Sequence, residues 1–140
     1  IIGTDDPNLT AFRNAGGKMI TWHGLADPLI FPQGTVNYVQ RVQATMRGAR
    51  NVDSFYRVFL APGVGHCAGG NGPVPTDPLG ALVKWVQDGQ APATLPAATT
   101  DSTGATITRN LCPYPAISRY DGHGDPKSAA SYRCTTDRGA

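Results

Sequence analysis

Lys18-Met19-Ile20-Thr21-Trp22-His23-Gly24-Leu25-Ala26-Asp27-Pro28 and, further on, Ser54-Phe55-Tyr56-Arg57-Val58-Phe59-Leu60-Ala61-Pro62-Gly63-Val64-Gly65-His66-Cys67 set the architecture of this chain. In each, a run of β-branched and aromatic residues continues without polar alternation, the pattern of a strand covered on both faces in a parallel sheet. Each run then passes into a loop carrying an ionisable side chain, Asp27 in the first and His66 in the second. From Pro32 to Arg47, Val36, Val39, Val42 and Met46 recur every three or four residues and Gly48 supplies a stop, which predicts an amphipathic helix. Strand, helix and strand in that order make a right-handed parallel crossover, and the fold class is α/β.

Working outward, Asp6-Pro7 opens a predicted two-turn helix that Gly16-Gly17 closes. A glycine-rich loop covers 61–75. Thr76 or Asp77 then caps a helix starting at Pro78, with Leu79, Leu82, Val83 and Val86 as its buried stripe and Gly89 as its end. Residues 90–140 read as an irregular tail with one candidate edge strand at Thr103–Arg109. Two adjacent parallel strands cannot stand alone, because such sheets need several neighbours and cover on both faces. Residues 1–140 are therefore expected to be the C-terminal segment of an α/β domain, held against a portion outside this sequence.

Composition narrows the function classes. At 140 residues the chain has room for one domain at most. A net charge of +2, with only 16% charged residues, leaves no footprint for nucleic acid or a membrane surface. No apolar run approaches the roughly 18 residues of a membrane span. The opening Ile1-Ile2-Gly3-Thr4 has no methionine or leader pattern, so the chain reads as a cut or processed piece. Cys112 and Cys134 lie in the tail, where few apolar side chains anchor the backbone. A bridge between them would contribute roughly 3 kcal/mol. Such staples belong to secreted or periplasmic proteins. Cys67 is then the odd cysteine, pairing with a residue on another chain or a missing segment, or remaining a buried free thiol.

Functional groups of open α/β sheets collect on loops at the carboxyl ends of the strands. Asp27 and His66 lie on two such loops, from strands that should be neighbours, so a carboxylate comes within reach of an imidazole. That pair is the second half of a Ser-His-Asp triad, in which the acid fixes the tautomer and supports the imidazolium. Taken singly, Asp27 reads equally well as a turn residue ahead of Pro28, and His66 as a satisfied loop histidine; the paired placement favours function. His23, on the wrong side of the loop from Asp27, reads as structural, bonding local backbone, and His123 as a solvated turn residue. A zinc site from His66, Cys67 and His123 matches no usual ligand spacing. None of Ser54, Ser102, Ser118, Ser128 and Ser131 lies on a glycine-flanked strand-to-helix turn, so the nucleophile is expected elsewhere.

Several motifs in order, Asp6-Pro7-Asn8-Leu9, Gly17-Lys18-Met19-Ile20, His23-Gly24-Leu25-Ala26-Asp27-Pro28-Leu29-Ile30, Gly63-Val64-Gly65-His66-Cys67, Leu79-Gly80-Ala81-Leu82-Val83-Lys84-Trp85-Val86 and Leu111-Cys112-Pro113-Tyr114-Pro115, are similar to those of the tannase/feruloyl esterase family. That family also includes enzymes acting on mono(2-hydroxyethyl) terephthalate. The resemblance implies the C-terminal portion of an α/β-hydrolase fold, incomplete on its own, in a secreted serine esterase acting on phenolic or aromatic acid esters. Asp27 would orient His66, the general base and then acid. Cys67 would bond a cysteine outside the chain, one residue before the nucleophilic serine. The serine, the oxyanion hole and a calcium-binding lid domain would all lie in a missing N-terminal portion of the same enzyme. The chain itself would hold no cofactor and would be inactive alone. Ile30 reads equally as pocket wall or ordinary packing. The competing class is an inactive secreted binding or scaffold fragment.

Overall fold

The computed structural model describes residues 4–136, so the Ile1-Ile2-Gly3 opening and the last four residues lie outside it. The first helix, α1 (Thr10–Asn14), is shorter than Asp6-Pro7 suggested. The side chains of Asp6 and Asn8 accept from the backbone N–H two residues on, which holds this stretch in turns. Strand β1 (Met19–Gly24) leads through a loop to helix α2 (Pro32–Thr45), followed by α3 (Ala49–Asp53), a one-turn helix with no clear periodicity to announce it, and β2 (Tyr56–Ala61). Helix α2 stops at Arg47, in the left-handed region at φ 68°, while the Gly48 N–H reaches back to the Gln43 carbonyl.

Strands β1 and β2 pair in parallel, Met19 opposite Tyr56 through Gly24 opposite Ala61, so both carboxyl ends emerge at one edge. Both faces of β2 are buried, as its apolar run required. Tyr56 and Val58 pack with Val39, Val42 and Met46 of the α2 region and with Val52 and Phe55. Phe59 and Ala61 pack on the opposite face with Val64, Leu95, Ala97 and Leu111.

Beyond a two-residue strand β3 (Val74–Pro75), helix α4 (Pro78–Asp88) is capped by Asp77, whose side chain accepts from the Gly80 N–H, and ends at left-handed Gly89. Its expected buried stripe requires correction. Leu79 and Val86 are 69% and 60% exposed, and Val83 is also exposed; the buried side chain is Trp85, and Ala81 packs against the cluster around Phe59 and Leu95. The helix has two apolar faces, and among the described residues only one is covered. The tail also differs from its reading as irregular. Strands β4 (Leu95–Thr100) and β5 (Thr106–Leu111) form an antiparallel sheet with β3, and β6 (Ile117–Tyr120) pairs with β7 (Tyr132–Thr135). Cys112 and Cys134 are disulfide-bonded, with Cα atoms 5.7 Å apart. Tail and parallel pair meet where the Tyr114 N–H bonds the Val58 carbonyl and Pro113 bridges Phe59.

Candidate active site

The two loops leaving β1 and β2 are laced together by backbone. The Leu25 N–H bonds the Ala61 carbonyl and the Ala26 N–H bonds the Val64 carbonyl, each at 2.9 Å. Gly24 permits this crossing, since a Cβ there would fall on the Val64 carbonyl oxygen. Asp27 follows three residues after β1, and His66 five after β2. Their side chains meet, His66 Nδ1 donating to Asp27 Oδ2 at 2.9 Å. A carboxylate only accepts, so Nδ1 carries a proton, and in the neutral ring Nε2 presents its lone pair.

The second carboxylate oxygen does the work that a turn residue would do. Asp27 Oδ1 accepts from the backbone N–H of Leu29 at 2.9 Å and of Ile30 at 3.0 Å. Asp27 therefore makes a turn contact on one oxygen and the His66 contact on the other. Its side chain is 5% exposed, whereas that of His66 is 41% exposed. Burial pushes the Asp27 carboxyl up, but the Ile30 N–H, the His66 hydrogen bond and the Leu29 N–H outweigh it and hold the group well below the usual carboxylate range. It stays an anion.

His66 Nε2 has no hydrogen-bond partner among the described residues, and the ring borders an open depression of about 240 Å³ with Trp22, His23, Gly24, Ile30, Gly65 and Cys67. Ile30 is 58% exposed on this rim. A larger groove of about 510 Å³, between α2 and the residues following Leu111, includes neither Asp27 nor His66. Cys67 sits in the left-handed region at φ 61°, the Ala68 N–H reaching across it to the His66 carbonyl in a three-residue turn. Its thiol is free and exposed, so the buried-thiol alternative fails. His123 lies in an exposed turn, bonded to the Asp121 carbonyl, and no group of three or more His, Cys, Asp or Glu able to hold a metal occurs among the described residues.

His23 bonds local backbone, as its structural reading expected, but its expected place on the wrong side of the loop from Asp27 requires correction, since its Nε2 is 3.4 Å from Asp27 Oδ2. Nε2 also donates to the Ile30 carbonyl at 2.9 Å, and Nδ1 is 2.7 Å from Thr35 Oγ1. The four-residue spacing of His23 and Asp27 around a tight turn was the available signal.

A family model described as tannase and feruloyl esterase matches residues 1–135. A probable feruloyl esterase of Arthroderma benhamiae is 50% identical, aligned over all of this chain and 27% of that relative. A mono(2-hydroxyethyl) terephthalate hydrolase of Piscinibacter sakaiensis is 44% identical over 94% of this chain and 22% of its own length. Among solved structures, feruloyl esterase B from Aspergillus oryzae superposes with a TM-score of 0.83 at 31% identity, covering 93% of this chain and 29% of that one. An esterase from the same organism reaches 0.85 at 34% identity, with the same coverage. The chain thus spans about a quarter of the length of the curated relatives it matches.

Proposed function

We propose, for a chain that belongs to the tannase and feruloyl esterase family, that residues 1–140 are the acid–base segment of a serine carboxylic ester hydrolase acting on phenolic or aromatic acid esters. The observation carrying this reading is the 2.9 Å bond from His66 Nδ1 to a buried, ionised Asp27, with Nε2 left open toward the depression. In that role Nε2 takes the proton of an attacking serine hydroxyl and returns it to the leaving alcohol as the acyl-serine forms. Asp27 holds the Nδ1–H tautomer and stabilises the imidazolium. Water then repeats the cycle to release the acid. None of the serines lines the depression, so the nucleophile and oxyanion donors are assigned to a portion of the enzyme beyond these residues, and this segment alone is inactive. The proposed steps use no cofactor held by this segment.

The Cys112–Cys134 bond supports a secreted or periplasmic location, and no described helix is long and apolar enough to cross a membrane. Cys67, exposed on the strained turn beside His66, is assigned a disulfide to a cysteine preceding the serine. The test is hydrolysis of methyl ferulate by the full gene product carrying this segment. His66→Ala is expected to lower kcat by several orders of magnitude and Asp27→Asn by somewhat less, with KM nearly unchanged. Retention of kcat within about threefold in Asp27→Asn would remove it as the orienting acid. No hydrolysis by the wild-type gene product of any aromatic ester would favour the binding or scaffold reading.

A further inference from the structure

We propose that His23 is a positioning residue for the acid–base pair, an inference that rests on the reading of Asp27 and His66 above. Its ring closes a circuit around the acid. The Ile30 N–H donates to Asp27 Oδ1 at 3.0 Å, the Ile30 carbonyl accepts from His23 Nε2 at 2.9 Å, and that same nitrogen lies 3.4 Å from Asp27 Oδ2. A carbonyl only accepts, so Nε2 carries a proton, and in the neutral ring Nδ1 accepts from the Thr35 hydroxyl in the first turn of α2. The side chain is 12% exposed.

This circuit supplies what the loop otherwise lacks. Leu29, Ile30 and Phe31 are 68%, 58% and 73% exposed, so among the described residues no apolar packing of these side chains holds the turn that gives Asp27 its two backbone donors. His23, rooted in β1, and Thr35, rooted in α2, hold the Ile30 peptide from its carbonyl side, which fixes where Oδ2 points. Both ring nitrogens are engaged by protein groups, leaving His23 no donor or acceptor for substrate or for proton transfer. Its contribution therefore falls on the orientation of Asp27 and His66, and so on kcat.

Methyl ferulate hydrolysis by the full gene product tests this with four variants. His23→Phe keeps a ring without a donor and is expected to lower kcat by about tenfold or more while KM stays within about threefold. His23→Gln restores an amide N–H near the Nε2 position and is expected to recover to within about threefold of wild type. Thr35→Val, which unties only Nδ1, should lower kcat by roughly threefold and keeps the proposal testable if His23→Phe does not fold. Wild-type kcat in His23→Phe, or in Thr35→Val where the Phe variant does not fold, would overturn the positioning role. So would a Gln variant as impaired as the Phe variant. His66→Ala separates the two ideas. If it abolishes activity while the His23 variants match wild type, only the positioning role fails; if it retains activity, the acid–base reading fails and the positioning role with it.

Discussion

Gly24→Ala tests the crossing of the two loops without touching either ionisable group. The new methyl would fall on the Val64 carbonyl oxygen and lie 2.7 Å from both the Val64 carbonyl carbon and the Gly65 carbonyl oxygen, where ordinary contact begins at 3.4 Å. All three are backbone atoms, so no rotamer change relieves the clash. The His66 loop must retreat by about 0.7 Å from two of them and further from the third, a displacement on the order of 1 Å. That stretches the 2.9 Å bond from the Ala26 N–H to Val64 and carries His66, two residues on, away from Asp27. A misplacement of this size can lower kcat by about 100-fold, and the weakened backbone bond costs about 1 kcal/mol of stability. Steady-state hydrolysis of methyl ferulate by the full gene product, with thermal unfolding alongside, measures both. Gly34→Ala is the matched control, because Gly34 lies within α2 with open space around its Cβ position. It should stabilise by about 0.5 kcal/mol and leave kcat unchanged. A Gly24→Ala enzyme with wild-type kcat would show that the loops do not depend on this crossing.

Other outcomes follow from the same geometry. Cys134→Ser opens a loop whose ends are 22 positions apart and should lower stability in urea by about 3 kcal/mol; a loss below about 0.5 kcal/mol would mean the tail is held by its sheets instead. Asp101 is held below its ordinary value of 3.8 mainly by the Lys127 hydrogen bond, and Asp27 is lowered by the Ile30, His66 and Leu29 bonds against the opposing effect of its burial. Depressed folded values mean that this stabilisation is fully present above about pH 4 and is lost as pH falls through the folded values, so Asp27→Asn and Asp101→Asn should each flatten the acid side of the Tm–pH curve. An unchanged acid limb in both variants would contradict the carboxylate contacts. The purified 140-residue chain should not hydrolyse aromatic esters, and turnover by material free of longer enzyme would place a nucleophile within it.

The parallel pair and its intervening helix were legible because their apolar runs answer to burial from both sides, and the meeting of Asp27 and His66 was legible because strand ends bring loops together. The stripe Leu79, Val83 and Val86 was read as buried on its period, but a period shows only that a face is apolar. Trp85 and Ala81 supply the face that is covered here, and nothing in the sequence ranks one face above the other. Of the tail strands, β5 was legible as the candidate at Thr103–Arg109, whereas β4, β6 and β7 escaped notice. Ala, Thr and Pro dominate β4, and its alternation is confined to buried Leu95 and Ala97 around exposed Pro96. Asp27 was read both as an acid for His66 and as a turn residue ahead of Pro28, but its particular donors, Leu29 and Ile30, depend on a turn conformation that propensity does not encode. His23 was misplaced for the same reason.

Pro113 has a consequence for how the central sheet can extend. Beside Phe59, on the side of β2 away from β1, it places a residue that has no N–H to offer a further strand, and the Tyr114 N–H already occupies the Val58 carbonyl. That margin is closed to a stray strand from another molecule, a common route to aggregation. The far margin of β1 has no strand against it among the described residues. The sheet is thus built with a direction: new strands can join past β1 alone, and a chain that folds onto this pair meets one receptive border and one sealed by proline.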